Sequence, residues 1–416
     1  MYSVAQVADM LGVSKETLRR WDNSGKLPSV RNPMNNYRFY HKEQLKQFEE
    51  LQFIFDDRHR FDINPSQPYK SIELFAGAGG LAIGLERAGL DTVLLNEIDK
   101  HACATLRANR PQWNIQEGDI SQLDFTPYYN QVDIVTGGFP CQAFSYAGKK
   151  MGFEDARGTL FFEFARAVKA SNPKIFMAEN VRGLLSHDNG RTLENIRSVI
   201  EELGYTLLTP HLMKAIFYRV PQKRERLILI GIRNDLVNSA TFNWPRPYQK
   251  MYTLKDALKA GELYKNDVPE SNGQKYPTKK AEVMKLVPQG GYWRDLPEAV
   301  QKTYMQKSFY LGGGKTGMAR RMHWDEPCLT LTCAPAQKQT ERCHPDETRP
   351  FTVREYARIQ TFPDDWQFKG PLTSQYKQIG NAVPINMGYE LGLSLVDFLN
   401  HISTKPNVVE VRGQVA

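Results

Sequence analysis

Residues 71–88 read SIELFAGAGGLAIGLERA. The apolar run Ser71–Phe75 predicts a strand and Leu81–Ala88 a helix, joined by a bend rich in glycine at 77, 79 and 80. Glycines there let a backbone approach a ligand and aim N–H groups at it from a helix N-terminus. Taken alone, the bend fits a dinucleotide-binding fold equally well. The texture continues past it: Thr92–Asn96, Val132–Thr136, Ile175–Ala178 and Leu227–Ile232 read as strands, with helices such as Leu160–Ala170 and Thr192–Leu203 between them. Strands alternating with helices imply an α/β, doubly wound, mostly parallel sheet.

Two carboxylates fall where a nucleoside would need them. The second strand ends Asn96-Glu97-Ile98-Asp99, about twenty residues beyond the bend, a spacing at which an acid accepts a ribose hydroxyl pair. Gly118-Asp119-Ile120 adds an acid beside an apolar residue, suited to the edge and face of an adenine ring. With no Lys or Arg near the bend to grip phosphate, the set favours a nucleoside cofactor over a dinucleotide. An ordinary acid at a sheet edge is the plainer reading of Asp119.

The strand Val132–Thr136 runs into Gly137-Gly-Phe-Pro140-Cys141-Gln-Ala-Phe-Ser145. Glycines before Cys141 and Pro140 beside it set the thiol on a constrained loop at a strand's C-terminal end, where α/β folds keep their ligand crevices. Loop N–H donors or basic neighbours would favour its thiolate. Cys103, Cys328, Cys333 and Cys343 lack that setting and read as small buried hydrophobes. A further strand ends in Glu179-Asn180-Val181, placing a carboxyl at the crevice edge, where it could bond a ring nitrogen and an exocyclic amine. Pro221-Gln222-Lys-Arg224-Glu-Arg226 leads into Leu227–Ile232, so Gln222, Arg224 and Arg226 are expected on one face.

Outside this region the chain changes character. In residues 1–55, Ser3 and Gln6 form a capping box before the apolar face Val4, Val7, Ala8 and Leu11. Gly12 and Val13 turn the chain, and Ser14 caps a second, basic helix, Lys15–Trp21, carrying Arg19 and Arg20. Val/Tyr/Phe runs flanked by turn residues could form a hairpin, and His41–Phe55 reads as a helix. This unit resembles the winged helix-turn-helix domain of excisionases and MerR-type regulators, which implies DNA contacts by Arg19 and Arg20; a packing or protein-interaction appendage is the alternative. Residues 56–69 read as a linker, 70–232 as the α/β domain completed by about 374–402, and 233–373 as a smaller domain.

The stretch 233–348 interleaves Lys279, Lys280, Arg320, Arg321, Lys338 and Arg342 with Tyr292, Trp293, Tyr310 and Trp324, a mixture suited to a DNA groove. Gly312–Thr316 mimics a phosphate loop, but Phe309 stands where a Walker A needs glycine, so ATP binding is rejected. Cys328, Cys333, Cys343 and His344 lack paired C-x₂-C spacing, and Thr330–Thr332 between them reads as a strand, so no metal is expected.

Composition sets outer bounds. At roughly 150 residues per domain, 416 residues predict two to three domains. A hydrophobic fraction of 41% supports packed cores, and a charge of 54 − 46 = +8 makes a polyanion a plausible partner. No apolar stretch nears the roughly 18 residues of a membrane span. With no signal-peptide layout at the N-terminus, and five scattered cysteines fitting a reducing compartment, a cytoplasmic protein is expected.

The markers FAGAGG, NEID, GDI, GGFPCQAFS, RGTLFFE, ENVRG, PQKRERLILIG, RPFTVREYARIQTFP and QIGNAVP occur in that order over residues 70–232 and 349–390. Together they make the chain similar to bacterial cytosine-5 DNA methyltransferases of the restriction–modification type. The resemblance implies a Rossmann-like domain binding S-adenosylmethionine, a smaller target-recognition domain, and double-stranded DNA as substrate. It assigns Phe75, Ala76, Gly77, Gly79, Gly80, Glu97, Ile98, Asp119, Ile120, Pro140, Leu160, Asn381, Ala382 and Val383 to the cofactor. Cys141 would be the nucleophile, Glu179 the cytosine N3 partner, and Arg226 the group at O2, with Arg224 in the same catalytic stretch. Ser145, Arg157 and Gln222 would touch DNA; a solvated loop face is the alternative for Ser145 and Arg157.

The chemistry accounts for these groups. Cytosine C5 is too weak a nucleophile to take a methyl group until a thiolate adds to C6. Glu179 would have to carry a proton to N3 as charge builds, and the base must leave the duplex to meet both groups. A tRNA cytosine methyltransferase and a transcriptional regulator binding operator DNA through Arg19 and Arg20 are the competing readings. A monomer is expected, since each strand is methylated separately.

Overall fold

The computed structural model describes residues 1–34, 36–55, 63–139 and 159–404. Strand β1 (Tyr2–Ser3) leads into α1 (Val4–Leu11), where Ser3 Oγ accepts from Gln6 N at 3.2 Å and Gln6 Oε1 from Ser3 N at 2.8 Å. Gly12, at φ +69°, ends α1, and Ser14 caps α2 (Lys15–Asn23). β2 (Val30–Arg31) and β3 (Arg38–Tyr40) form an antiparallel hairpin, with β1 on the other edge of β3. The single helix expected over 41–55 is instead α3 (Lys42–Leu45), α4 (Glu49–Gln52) and a 3₁₀ turn. The break after Leu45 accompanies Phe48 stacking on Trp21 with centroids 5.8 Å apart.

The next stretch builds β4 (Tyr69–Leu74), α5 (Gly80–Arg87), β5 (Leu90–Glu97), α6 (Lys100–Asn109), β6 (Ile115–Glu117) and β7 (Ile134–Gly137). It continues with α7 (Leu160–Ser171), β8 (Ile175–Asn180), α8 (Arg191–Glu202), β9 (Tyr205–Leu207), β10 (His211–Lys214), β11 (Gln222–Lys223) and β12 (Glu225–Arg233). One eight-stranded sheet runs β10-β12-β8-β7-β4-β5-β6, with β9 on β12. Its centre is parallel, as the alternation implies, but β12 runs antiparallel to both β8 and β9. Ile72, Leu74, Val135, Phe164, Phe176 and Leu229 share its core.

The remainder holds α9 (Leu254–Leu258), α10 (Thr278–Lys285), α11 (Glu298–Met305), β13 (Cys328–Leu329), α12 (Val353–Ile359), α13 (Leu372–Asn381) and α14 (Ile385–Thr404). Tyr276, Met284, Val287, Trp293, Met305 and Cys343 form a separate core. β13 pairs in parallel with β11 and ends at Leu329, so Thr330–Thr332 is not the expected strand. Two arginines expected at a DNA groove are buried here. Arg321 donates to the carbonyls of Met284, Val287, His344, Pro345 and Glu347, and Arg342 to those of Thr330 and Glu341. Guanidinium forks satisfying carbonyls in a segment poor in regular structure replace the backbone ladder that segment lacks.

Among the described residues the chain divides into two compact units. One draws on Met1–Phe61, Lys214–Arg224 and Arg246–Met387; the other, holding the large sheet, draws on Asp62–Met213, Glu225–Pro245 and Gly388–Ala416. Within the expected linker, Ser66 N and Tyr69 Oη donate to Asn400 Oδ1 on α14. No helix among the described residues is long and apolar enough to cross a membrane.

Helix α14 packs on α5 through small residues. A Cβ on Gly84 would stand 2.6 Å from the Gly388 carbonyl carbon, and one on Gly392 2.6 Å from the Ala88 Cβ. Gly84→Ala is therefore expected to destabilise the protein by about 1–3 kcal/mol in urea unfolding, while Gly261→Ala, which meets nothing within 4 Å, leaves the midpoint unchanged.

Glu73 of β4 is fully buried, accepts from the Ala82 N–H in the first turn of α5, and leaves Oε2 without a partner. Burial pushes its carboxyl up to about 8. Between the ordinary carboxylate range and that value, the folded chain keeps a proton that the unfolded chain has released, so stability falls as pH rises. Glu73→Gln should remove a slope of at most about 1.4 kcal/mol per pH unit across that window, read as a flatter urea midpoint against pH.

Candidate functional site

The site is built from the C-terminal ends of neighbouring strands. β4 lies between β5 and β7, with Leu74 opposite Asn96 on one side and Gly137 on the other; β7 in turn pairs with β8, Gly137 opposite Ala178. After Leu74 the backbone turns through Phe75 at φ +57°, Gly77 at +55° and Gly79 at +83°, and Gly79 is the N-cap of α5. Ala76 N donates to Asn96 O at 3.0 Å, tying the bend to β5. Nothing lies within 4 Å of where a Gly77 Cβ would be, so this face of the bend is open.

Glu97 organises the bend. Its Oε2 accepts from Gly77 N at 2.7 Å, and its Oε1 from Ile98 N at 2.8 Å and Asp99 N at 2.7 Å. Ile98 is 70% exposed, which for an isoleucine beside a glycine loop offers an apolar face to a ligand. Asp119 is exposed, and the Ser121 N–H it accepts holds its carboxyl below the usual range, so it stays an ionised acceptor. Ile120 is buried. Sequence reasoning missed the groups that fix these positions: Asn96 Nδ2 donates to the Gln116 and Gly118 carbonyls, and Arg166 of α7 to those of Ile120 and Leu123. Both are polar residues in apolar runs, which was the available signal. Leu160, at the first position of α7 after the capping Thr159, is part-exposed.

Glu179, the last residue but one of β8, lies beside Gly138, which follows β7. A Cβ on Gly138 would lie 2.8 Å from Glu179 Oε2, so a larger residue there would push the end of that carboxylate aside. The next residue of β8, Asn180, donates to the Phe139 carbonyl at 2.9 Å and steadies the loop's first residues. Arg226, two residues before Ile228, which pairs with Glu179, brings its Nε against the Glu179 carboxylate. Its Nη1 donates to the Glu225 carbonyl at 2.8 Å. Glu179 and Arg226 thus form one acid–base pair at the sheet edge, each part-buried. Pro140, Cys141, Ser145 and Arg157 lie outside the described residues.

Gln222 and Arg224 do not continue that face. The strand is interrupted between Lys223 and Glu225, and both side chains are buried in the other unit. Gln222 bonds Gln360 Oε1 at 2.9 Å and accepts from Leu331 N at 2.9 Å; Arg224 donates to the carbonyls of Leu331, Gly380 and Asn381. Asn381 is exposed and Ala382 and Val383 buried, and Asn381 Oδ1 accepts from Cys333 Sγ at 3.1 Å. Cys333 is exposed, against the expectation of a buried hydrophobe, whereas Cys103, Cys328 and Cys343 are buried. Arg19 and Arg20 stand exposed on α2, Arg19 paired with Glu16 at 2.8 Å.

Comparison with known proteins adds independent findings. A family described as C-5 cytosine-specific DNA methylase matches residues 69–397, and the MerR family of regulatory proteins matches residues 3–40. The chain is 68% identical over 405 residues to Type II methyltransferase M.Eco47II of Escherichia coli, covering 97% of each. It is 60% identical to M.PspPI of Psychrobacter sp., covering 96% of each, and 48% identical to M.Sau96I of Staphylococcus aureus, covering 96% of this chain and 89% of that one. Among solved structures, a prophage-encoded E. coli protein described as a DNA modification methyltransferase superposes with a TM-score of 0.63 at 24% identity, over 80% of this chain and 99% of that one. The S. pombe Dnmt2 methyltransferase gives 0.55 at 16%, over 80% and 100%. At those identities the structural likeness speaks for the fold alone.

Proposed function

Because the chain belongs to the C-5 cytosine-specific DNA methylase family and is a DNA (cytosine-5-)-methyltransferase, we propose that it works through a covalent bond from Cys141 to C6 of a cytosine flipped out of a specific duplex sequence. The observation that carries this reading is the Glu179–Arg226 pair against Gly138, three residues before Cys141.

As the Cys141 thiolate adds to C6, the C5–C6 π electrons move into the ring. A Glu179 carboxyl that has taken up a proton with the base in place passes it to N3 and becomes the carboxylate that pairs with Arg226, which stands at O2. C5 then carries enough electron density to form its bond to the methyl carbon. Transfer of the C5 proton to water, departure of Cys141 from C6 as the thiolate with the C–S electron pair, and return of the N3 proton to Glu179 restore the aromatic ring as 5-methylcytosine. Gly138 leaves room for the Glu179 carboxylate beside the end of β7, and Asn180 holds the Phe139 carbonyl two residues before Cys141 in sequence.

S-adenosylmethionine would supply an electrophilic methyl group on sulfonium. The residues present fit a nucleoside ligand: an open bend at Gly77, an exposed Ile98 face and an ionised Asp119. Glu97 would accept ribose hydroxyls with lone pairs left over from its three backbone N–H bonds. The assignment of Asn381, Ala382 and Val383 to the same cofactor, and of Pro140, rests on the sequence resemblance. Arg224 enters as a support that holds the Gly380–Asn381 carbonyls.

Residues from about 233 to 373 would read the target sequence, with Lys279, Lys338 and Tyr310 at the surface rather than the buried Arg321 and Arg342. Residues 1–55 would act as a winged helix-turn-helix contributing DNA contacts through Arg19 and Arg20, on substrate or on operator DNA. The relatives' names place them among Type II methyltransferases, which supports a protective role beside a restriction endonuclease.

Bisulfite sequencing of unmethylated plasmid after incubation with the protein and S-adenosylmethionine tests the whole reading. Protected cytosines should recur within one short sequence and vanish with Cys141→Ser. Gly138→Ala, which crowds Glu179, and Arg226→Ala should each lower kcat by about 10²-fold with the fold intact by circular dichroism. Full protection by Cys141→Ser would exclude the mechanism.

A further inference from the structure

The turn between α1 and α2 is held by side chains far along the chain. Lys223 Nζ of β11 meets Asp9 Oδ1 of α1 at 2.9 Å and Glu326 Oε2 at 3.6 Å, while Lys15 Nζ, at the start of α2, meets Glu326 Oε1 at 2.5 Å. The four charges alternate in sign: Asp9, Lys223, Glu326, Lys15. Lys214 Nζ adds a bond to the Met10 carbonyl at 3.0 Å, a cation at the C-terminal end of α1 where the helix dipole favours one. The same ammonium would stand 3.3 Å from a Cβ on Gly12, so the glycine that makes the turn also makes room for the contact. Asp9, Lys223 and Glu326 are largely buried, and only Lys15 is about half exposed. Burial lifts the Asp9 carboxyl against the pull of Lys223, as expected of a charge taken out of water to make a contact.

Lys223 belongs to β11, and Glu326 lies two residues before β13 begins at Cys328. Lys223 pairs with Leu329, and Cys328 N bonds the Pro221 carbonyl at 2.9 Å. The turn therefore sits on a strand pair that is itself fixed by Gln222 and Arg224, and all these residues lie in one compact unit.

We infer that the α1–α2 turn is a docking face for this chain's own β11–β13 pair, so that residues 1–55 and the segment proposed to read the target sequence meet DNA as one body. In a helix-turn-helix that reads DNA, residues at the N-terminal end of the second helix reach the base edges. Here that end is engaged by Glu326, and α2 offers DNA its Arg19–Arg20 side instead. The DNA consequence rests on the function proposed above for residues 1–55; the docking does not.

The test inverts half of the charge cluster at a time without changing net charge. Asp9→Lys with Lys15→Glu sets like against like across the contact, as does Lys223→Glu with Glu326→Lys. All four substitutions together restore alternation. In the full-length protein, each half-inversion should lower the thermal unfolding midpoint by several degrees and weaken binding to a methylatable duplex of about 30 base pairs, roughly three helical turns, at least fivefold by fluorescence anisotropy. The fourfold variant should recover most of both losses. Because net charge is constant, non-specific phosphate attraction cannot produce that pattern. Half-inversions that change neither quantity, or a fourfold variant no better than they are, would overturn the docking. If the unfolding losses and recovery hold while Arg19→Ala with Arg20→Ala leaves DNA affinity unchanged, the docking stands and the DNA role of α2 fails.

Discussion

The site depends on the hydrogen-bonded adjacency of β4, β7 and β8. Parallel pairing brings the C-terminal ends of all three to one edge of the sheet. The glycine bend leaves β4 there, Gly138 and Phe139 follow β7, and Glu179 and Asn180 close β8. β12 arrives antiparallel, so its beginning rather than its end lies beside Glu179, which is how Arg226 reaches the carboxylate. Reversing β12 within the same sheet would send Arg226 to the far edge. The gap that admits Glu179 beside β7 is a single missing methyl group at Gly138.

Much of this was legible in the sequence because it is local. The strand–bend–helix at 69–87, the cap of α1 at Ser3 and the acid at the end of β5 are written in consecutive residues, and the structure forms them with ends displaced by only a few residues. The family motifs added roles that spacing alone left open. What escaped was set by contacts distant in sequence. Arg321 and Arg342 look like groove-facing cations in a basic segment, but their forks satisfy carbonyls that no ladder covers. Gln222 and Arg224 look like the continuation of a strand face, but the strand breaks and both turn into a buried network around Gln360 and Gly380. Cys333, four residues past the end of β13, is exposed although Leu331 between them is buried.

The two units are not strung head to tail along the chain. Residues 214–224 leave the company of the large sheet, and α14 begins in one unit and from Gly388 belongs to the other. Gly388 and Gly392 make that return close, since each faces α5 where larger side chains would collide. Segments of the large-sheet unit and of the unit holding Arg246–Met387 thus alternate along the chain, and a turn near residue 12 bears on Lys223 of β11.

A trapped adduct tests the bond from Cys141 to cytosine C6 most directly. A duplex carrying 5-fluorocytosine at the target position has no C5 proton to lose, so methyl transfer can proceed while release of the enzyme cannot. The complex should survive denaturing electrophoresis, require S-adenosylmethionine, be absent with Cys141→Ser, and yield a cross-linked peptide containing Cys141. An adduct at any other residue, or undiminished methylation of ordinary cytosine by Cys141→Ser, would contradict a bond at Cys141.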